Sequence, residues 1–194
     1  KWLEKKLWKP YPVETKKLEG ICKEFYYDKT MGRLNKYQEK YPEPDNGFEV
    51  NGTFTPPALT LLNKIPWDLL NEGVPSFIHG DLQFDNVLYT DDGEYILIDW
   101  RQEFGGYIEF GDLYYDLAKL YGGILLNYDY IKLNLLTYFE EKEKVYIDWA
   151  QRANAVSYIK ILSDFIESKG LSLRKVQLLV PLIYLNMAPL HNYP

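Results

Sequence analysis

The sequence is poor in the residues that build disulfides and metal centres. Cys22 is its one cysteine, and His79 and His191 are its two histidines. An internal disulfide is excluded, and no zinc site of ordinary ligand number can be assembled. A lone cysteine suits a reducing compartment, so the cytoplasm is the expected location. There is no apolar run of roughly 18 residues, so no membrane span is expected. The first ten residues are charged and no apolar stretch follows, so no secretory leader is expected. Basic residues are also short: 22 Lys and Arg face 28 Asp and Glu, a net charge of −6. A protein that lives by phosphate-backbone contacts needs the opposite balance, which argues against a nucleic-acid partner. The Gly-x-Ser-x-Gly elbow of serine hydrolases is missing as well.

What is present points to a globular chain. Of 194 residues, 46% are apolar and 26% charged, enough to bury one core. Tyrosine is abundant, at 18 residues, and suits half-buried helix faces, where the ring packs and the hydroxyl finds a partner. Ile21, Phe25, Leu34 and Tyr37 predict a helix over residues 19–40, ended by a loop at residues 41–47. Thr55-Pro56-Pro57 predicts a helix start, with a helix to about Asn63 and a short one over 67–71. Residues 76–79 then read as a short strand. Residues 86–89 and 94–98 around Asp91-Asp92-Gly93 read as a hairpin, in which Asp91 and Asp92 only form the turn. From Asp112 the pattern is helical again, with Leu113, Leu117, Leu120 and Ile124 in one stripe, and further helices over 150–169 and 172–187. The reading is one domain over residues 1–194: mainly α, an α+β fold with one small β insert.

That insert carries the chemistry. His79-Gly80-Asp81-Leu82-Gln83-Phe84-Asp85-Asn86 keeps the Asp and Asn spacing of the kinase catalytic loop, and Ile98-Asp99-Trp100 follows thirteen residues after Asn86. Phosphoryl transfer asks for a held acceptor hydroxyl and for cations on the phosphate oxygens. Asp81 on a tight turn can take the hydroxyl proton, and Asn86 and Asp99 on adjacent strands can converge on Mg²⁺, which favours a few hard oxygens. Gly80 allows a sharp bend or the close approach of another group. Asp85 reads as a solvated acid.

With Gly111-Asp112-Leu113-Tyr114-Tyr115-Asp116-Leu117-Ala118 added, the pattern resembles the aminoglycoside phosphotransferase and choline kinase family, small-molecule kinases of protein-kinase-like fold. The resemblance implies the C-terminal catalytic lobe of that fold. It implies Asp81 as catalytic base, Asn86 and Asp99 as magnesium ligands, and His79 and Asp116 as supports of the loop. ATP would be the phosphoryl donor, and the acceptor a small molecule such as choline, an aminoglycoside, or a sugar or polyol. Residues 24–34 more distantly resemble phosphotransferase-like domains of bacterial capsule or surface-polysaccharide biosynthesis.

The sequence departs from the family in two places. Members often carry Glu after the Asp-Trp pair, where Arg101 stands here, with Glu103 two further on. No glycine-rich phosphate loop or Val-Ala-Ile-Lys-like strand precedes His79, so the nucleotide-binding N-terminal lobe is expected upstream of Lys1, and the isolated chain is expected to be inactive. Glu103 and Asp112 are candidate substrate contacts, Asp112 equally a helix cap. Tyr146, Trp149, Tyr158 and Phe165 fit either a helix face packed in the core or an aromatic box for a quaternary ammonium. Cys22 reads as an inert buried thiol and His191 as a surface residue. A protein kinase is disfavoured, because no Ala-Pro-Glu element exists and the gap after Asp99 is short. The remaining alternative is a non-catalytic kinase-like module that binds a ligand within a larger biosynthetic protein.

Overall fold

The computed structural model describes residues 1–42 and 46–190. The sequence reading of His191, and of residues 43–45 in the loop, lies outside these. The fold is mixed α and β, nearly half helical.

In chain order, α1 (Trp2–Lys6) precedes α2 (Thr15–Lys23) and α3 (Lys29–Lys40). The predicted helix over 19–40 thus begins four residues earlier. It also contains a π-helical turn, Glu24–Asp28. A π turn shifts the register of side chains around the axis and often marks a functional site. Here the neighbours Phe25 and Tyr26 are both buried.

Strands β1 (Phe48–Val50) and β2 (Thr53–Thr55) follow, then α4 (Ala58–Leu62) and α5 (Trp67–Asn71). The predicted strand over 76–79 shortens to β3 (Pro75–Ser76), which pairs antiparallel with β6 (Gly111–Asp112). Between them lies the expected hairpin of β4 (Val87–Tyr89) and β5 (Tyr95–Leu97). Then come α6 (Leu113–Leu125), α7 (Tyr128–Lys132), β7 (Leu136–Glu141), β8 (Lys144–Trp149), α8 (Ala155–Ser168) and α9 (Leu173–Met187).

The sequence reading of a single β insert is corrected. A second, four-stranded sheet runs β2-β1-β8-β7, with β1 parallel to β8 and its other pairs antiparallel. The turn joining β1 to β2 is Asn51-Gly52, both with positive φ (49° and 81°), the backbone that a two-residue hairpin demands. Tyr146 and Trp149 therefore lie on a strand, not a helix. Trp149 donates its indole N–H to the Leu125 carbonyl at 3.0 Å, fastening the sheet to the end of α6.

Helix α6 runs through the core. Its buried face is Tyr114, Tyr115, Leu117, Ala118 and Tyr121, turned toward the tyrosines from the predicted leucine stripe. It packs on Leu179 and Val176 of α9 and Ile166 of α8, in a cluster that also takes in Leu18, Ile21 and Cys22 of α2. Each fully buried aliphatic side chain there contributes about 1.5–3 kcal/mol. Burial also pushes the Cys22 thiol well above the usual range, so it is protonated and unreactive.

Asp112 caps α6, accepting from the Tyr114 N–H at 3.2 Å. The same carboxylate accepts from the Val74 N–H and the Tyr26 hydroxyl, each at 2.8 Å, and faces Lys175 Nζ of α9 at 3.4 Å. Lys175 also donates to the Glu72 carbonyl at 2.6 Å. Asp112 and Lys175 are 0% and 1% exposed, so removing one member strands a charge in the core. Asp112→Ala is expected to destabilise the fold by about 3–5 kcal/mol. Chemical denaturation measures it, and a loss under 1 kcal/mol would show that the pair is not what joins these segments.

Candidate functional site

The loop between β3 and β4 is held by one carboxylate. Asp116, one helical turn beyond Asp112 on α6, is fully buried. Its Oδ2 accepts from the His79 N–H at 2.9 Å and from the Trp8 indole at 3.0 Å, and its Oδ1 accepts from the Gly80 N–H at 2.8 Å. Burial raises its pKa, and the donors from His79, Trp8 and Gly80 work against that rise. Asp116 thus holds the loop backbone at two consecutive amides, as the support role implied by the family resemblance requires.

His79 ties the loop to the hairpin. Its Nδ1 accepts from the Asp81 N–H at 3.2 Å, which leaves the proton on Nε2 to be donated to the Ile98 carbonyl at 2.9 Å. Its ring also packs on Trp100, with centroids 4.7 Å apart. Arg101 N–H donates to the His79 carbonyl at 3.0 Å, so the segments before Asp81 and after Asp99 run side by side.

Gly80 fulfils both readings of its role. Its φ is +78°, and a Cβ there would lie 2.5 Å from Arg101 Cβ. Gly80→Ala should therefore cost about 1–2 kcal/mol for the left-handed backbone alone, with the clash in addition. Thermal unfolding and turnover should both suffer; a variant as stable as the native protein would show that this turn is not constrained.

The loop presents Asp81 to a cleft. Its Oδ1 lies 2.5 Å from Lys119 Nζ of α6, and its Oδ2 accepts from Asn86 Nδ2 at 3.3 Å. Asn86 Nδ2 also donates to the Asp81 carbonyl at 2.9 Å. The Ile98 N–H bonds to the Asn86 carbonyl at 3.0 Å, one step beyond the hairpin ladder, so Asn86 and Asp99 leave the same end of the hairpin. Asp99 has a φ of 57°. It lines, with Asp81 and Glu103, a cavity of about 700 Å³.

Asn86 and Asp99 suit a hard cation. With its amide N–H groups turned to Asp81, Asn86 keeps Oδ1 free among the described residues, and the Asp99 carboxylate has no ion-pair partner there. One amide oxygen and one carboxylate match the few protein ligands Mg²⁺ takes. Among the described residues no cluster of three or more His, Cys, Asp or Glu is placed for a metal, so the remaining ligands would be phosphates and water.

The structure separates the two candidate substrate contacts. Glu103 lines the cavity. Asp112 is enclosed, its oxygens taken by backbone, Tyr26 and Lys175. A carboxylate with no open face cannot meet a substrate, so the capping reading replaces the contact reading. The aromatic-box reading finds no support either, because Tyr146 and Tyr158 stand 44% and 43% exposed on separate elements, and neither lines the cleft.

Sequence reasoning missed Lys119, Lys29, Arg33 and Trp8. Lys119 had a signal: it stands three residues after Asp116, on the same face of α6. Lys29 and Arg33 are brought in by the π turn, which α-helical spacing does not reveal. Lys29 Nζ and the Arg101 guanidinium both lie against the Phe25 ring, at 4.0 and 5.0 Å from its centroid. Burial, then the charges of Arg101 and Arg33, bring Lys29 down to about 8. The unfolded chain holds that proton more tightly, so the Lys29 contribution to stability improves as pH rises from about 8 toward 10.5. Lys29→Met should therefore stabilise the protein more at pH 7 than at pH 9.5. Equal changes in denaturation midpoint at the two pH values would contradict the shift.

Residues 18–153 match the sequence model of the phosphotransferase enzyme family. Searches of curated proteins and of solved structures return no match. Among the described residues no helix is long and apolar enough to cross a membrane.

Proposed function

This chain belongs to the phosphotransferase enzyme family, and from that premise we propose that it is the catalytic lobe of a kinase-like enzyme that phosphorylates a hydroxyl of a small molecule with ATP. The observation that carries the reading is the Asp81 carboxylate, gripped by Lys119 and Asn86 at the edge of a cleft that Asp99 also lines.

In this mechanism the acceptor oxygen bonds to the γ-phosphorus as the bond to the β–γ bridging oxygen breaks, and ADP leaves. The hydroxyl proton passes to Asp81 and from there to water. Asn86 and Lys119 fix the carboxylate, so that one oxygen can meet the acceptor at a set angle. Lys119 also brings positive charge to where the phosphoryl oxygens pass. Asn86 Oδ1 and the Asp99 carboxylate would hold Mg²⁺, which neutralises phosphate charge when bound. A nucleotide-binding N-terminal lobe on an upstream segment completes the proposal, since no glycine-rich loop or lysine strand precedes His79. A cytoplasmic location goes with it, because Cys22 is a buried free thiol.

Two substitutions in the full-length protein separate the roles. Asp81→Asn should lower magnesium-dependent ADP release by about 10²–10⁴-fold, the usual worth of a general base, with ATP affinity retained. Asp99→Ala should weaken Mg-ATP binding instead. Near-normal turnover in Asp81→Asn would remove Asp81 as the base. Retained ATP binding with no release from any alcohol would favour the ligand-binding module.

A further inference from the structure

Asp81 has a second side. A cavity of about 220 Å³ lies between the π turn, α3, α6 and α9, and Asp81 is its one acidic lining residue. Neither Asn86 nor Asp99 lines it. Four basic side chains do: Lys29 and Arg101, which also line the larger cavity, and Arg33 and Lys119, which do not. Asp81 pairs with Lys119. No carboxylate among the described residues lies within ion-pair distance of Lys29, Arg33 or Arg101.

Such a grouping runs against a chain with a net charge of −6. Half-buried like charges repel with little screening; burial does most to lower the pKa of Lys29, and the charges of Arg101 and Arg33 lower it further while Glu103 works against them. An anion placed among the cations would relieve the repulsion. Guanidinium forks suit phosphate or carboxylate oxygens. The lining from α9 is apolar, formed by Leu179, Leu182 and Ile183. Asn186, on the same wall, has a buried Oδ1 with no hydrogen-bond partner among the described residues.

Resting on the phosphotransferase reading, we propose that the acceptor is an anionic alcohol, whose phosphate or carboxylate is bound by Lys29, Arg33 and Arg101 while its hydroxyl faces Asp81. The acceptor then enters from the basic side and the magnesium nucleotide from the side of Asp99. The acceptor hydroxyl forms the new P–O bond, the β–γ bridging oxygen departs with ADP, and the proton goes to Asp81. Choline and aminoglycosides, being cations, are excluded by the same charges.

The test reads binding, without turnover. The full-length protein is titrated calorimetrically with glycerol 3-phosphate, glycerate, glycerol, choline and Mg-ADP, and the titrations are repeated on folded Arg33→Gln and Lys29→Gln. At least one of the two anions should bind tenfold or more tightly than glycerol and choline, which also tells phosphate from carboxylate recognition. Each variant should lose at least tenfold for that anion, and Arg33→Gln, whose side chain does not line the larger cavity, should keep its Mg-ADP affinity. Glycerol or choline binding as well as both anions would overturn the proposal. So would an equal loss of Mg-ADP affinity in the variants, which would assign the cations to the nucleotide. ADP release driven by a neutral alcohol, with no anion preference, would sink this inference and leave the phosphotransferase reading standing. Anion binding by the native protein but not the variants would support it even if no alcohol drove ADP release.

Discussion

Asp116 is the constraint on which the site depends. Three N–H donors, two from the adjacent His79 and Gly80 and one from the distant Trp8, meet one fully buried carboxylate. Each bond to a charged acceptor contributes more than a neutral one, and a buried N–H without a partner costs about 1–3 kcal/mol. The loop cannot leave Asp116 without exposing two unpaired amides. The turn at Gly80, the orientation of His79 and the direction of Asp81 all follow from that anchoring. Asp112, one turn earlier, does the same for the scaffold: it joins the π turn, the β3 segment, α6 and α9. Two acids four residues apart, one capping α6 and one in its first turn, thus set the loop and the helices around it in a common frame.

Charge is distributed locally, against the overall balance. The larger cavity brings Asp81, Asp99 and Glu103 together beside Lys29 and Arg101, while the smaller adds Arg33 and Lys119 to those two cations and has Asp81 as its one acid. A net charge of −6 suggests a cationic ligand, but the pocket wall argues for an anionic one. Potentials at a site come from the few charges lining it, where screening is weak, rather than from a sum over the surface. Asp81 lines both cavities and so stands where the two meet.

Local signals account for what was legible in the sequence. The hairpin after Asn86, the short helix at 67–71 and the last two helices, the first of which starts at Ala155 and not at 150, follow from spacing, turn chemistry and caps. The hairpin β7–β8 was hidden by its charges: Glu140, Glu141, Lys142, Glu143 and Lys144 resemble a solvated helix face, and its alternation is clear only across the strand pair. The β1–β2 hairpin carries a plain Asn51-Gly52 signal in the sequence. The basic pocket was not legible, because Lys29, Arg33, Arg101 and Lys119 come from three distant stretches. Only the π turn and the packing of α6 on α9 bring them together.

The central claim is that Asp81 directs transfer of a phosphoryl group to an alcohol oxygen. Phosphorus NMR of the full-length protein with ATP, Mg²⁺ and a mixture of phosphorylated and carboxylated alcohols tests it most directly. A new phosphoester resonance should grow in step with ADP, and stay absent when Asp81→Asn replaces the native protein. ADP accompanied only by inorganic phosphate, or an identical phosphoester from the variant, would contradict the account.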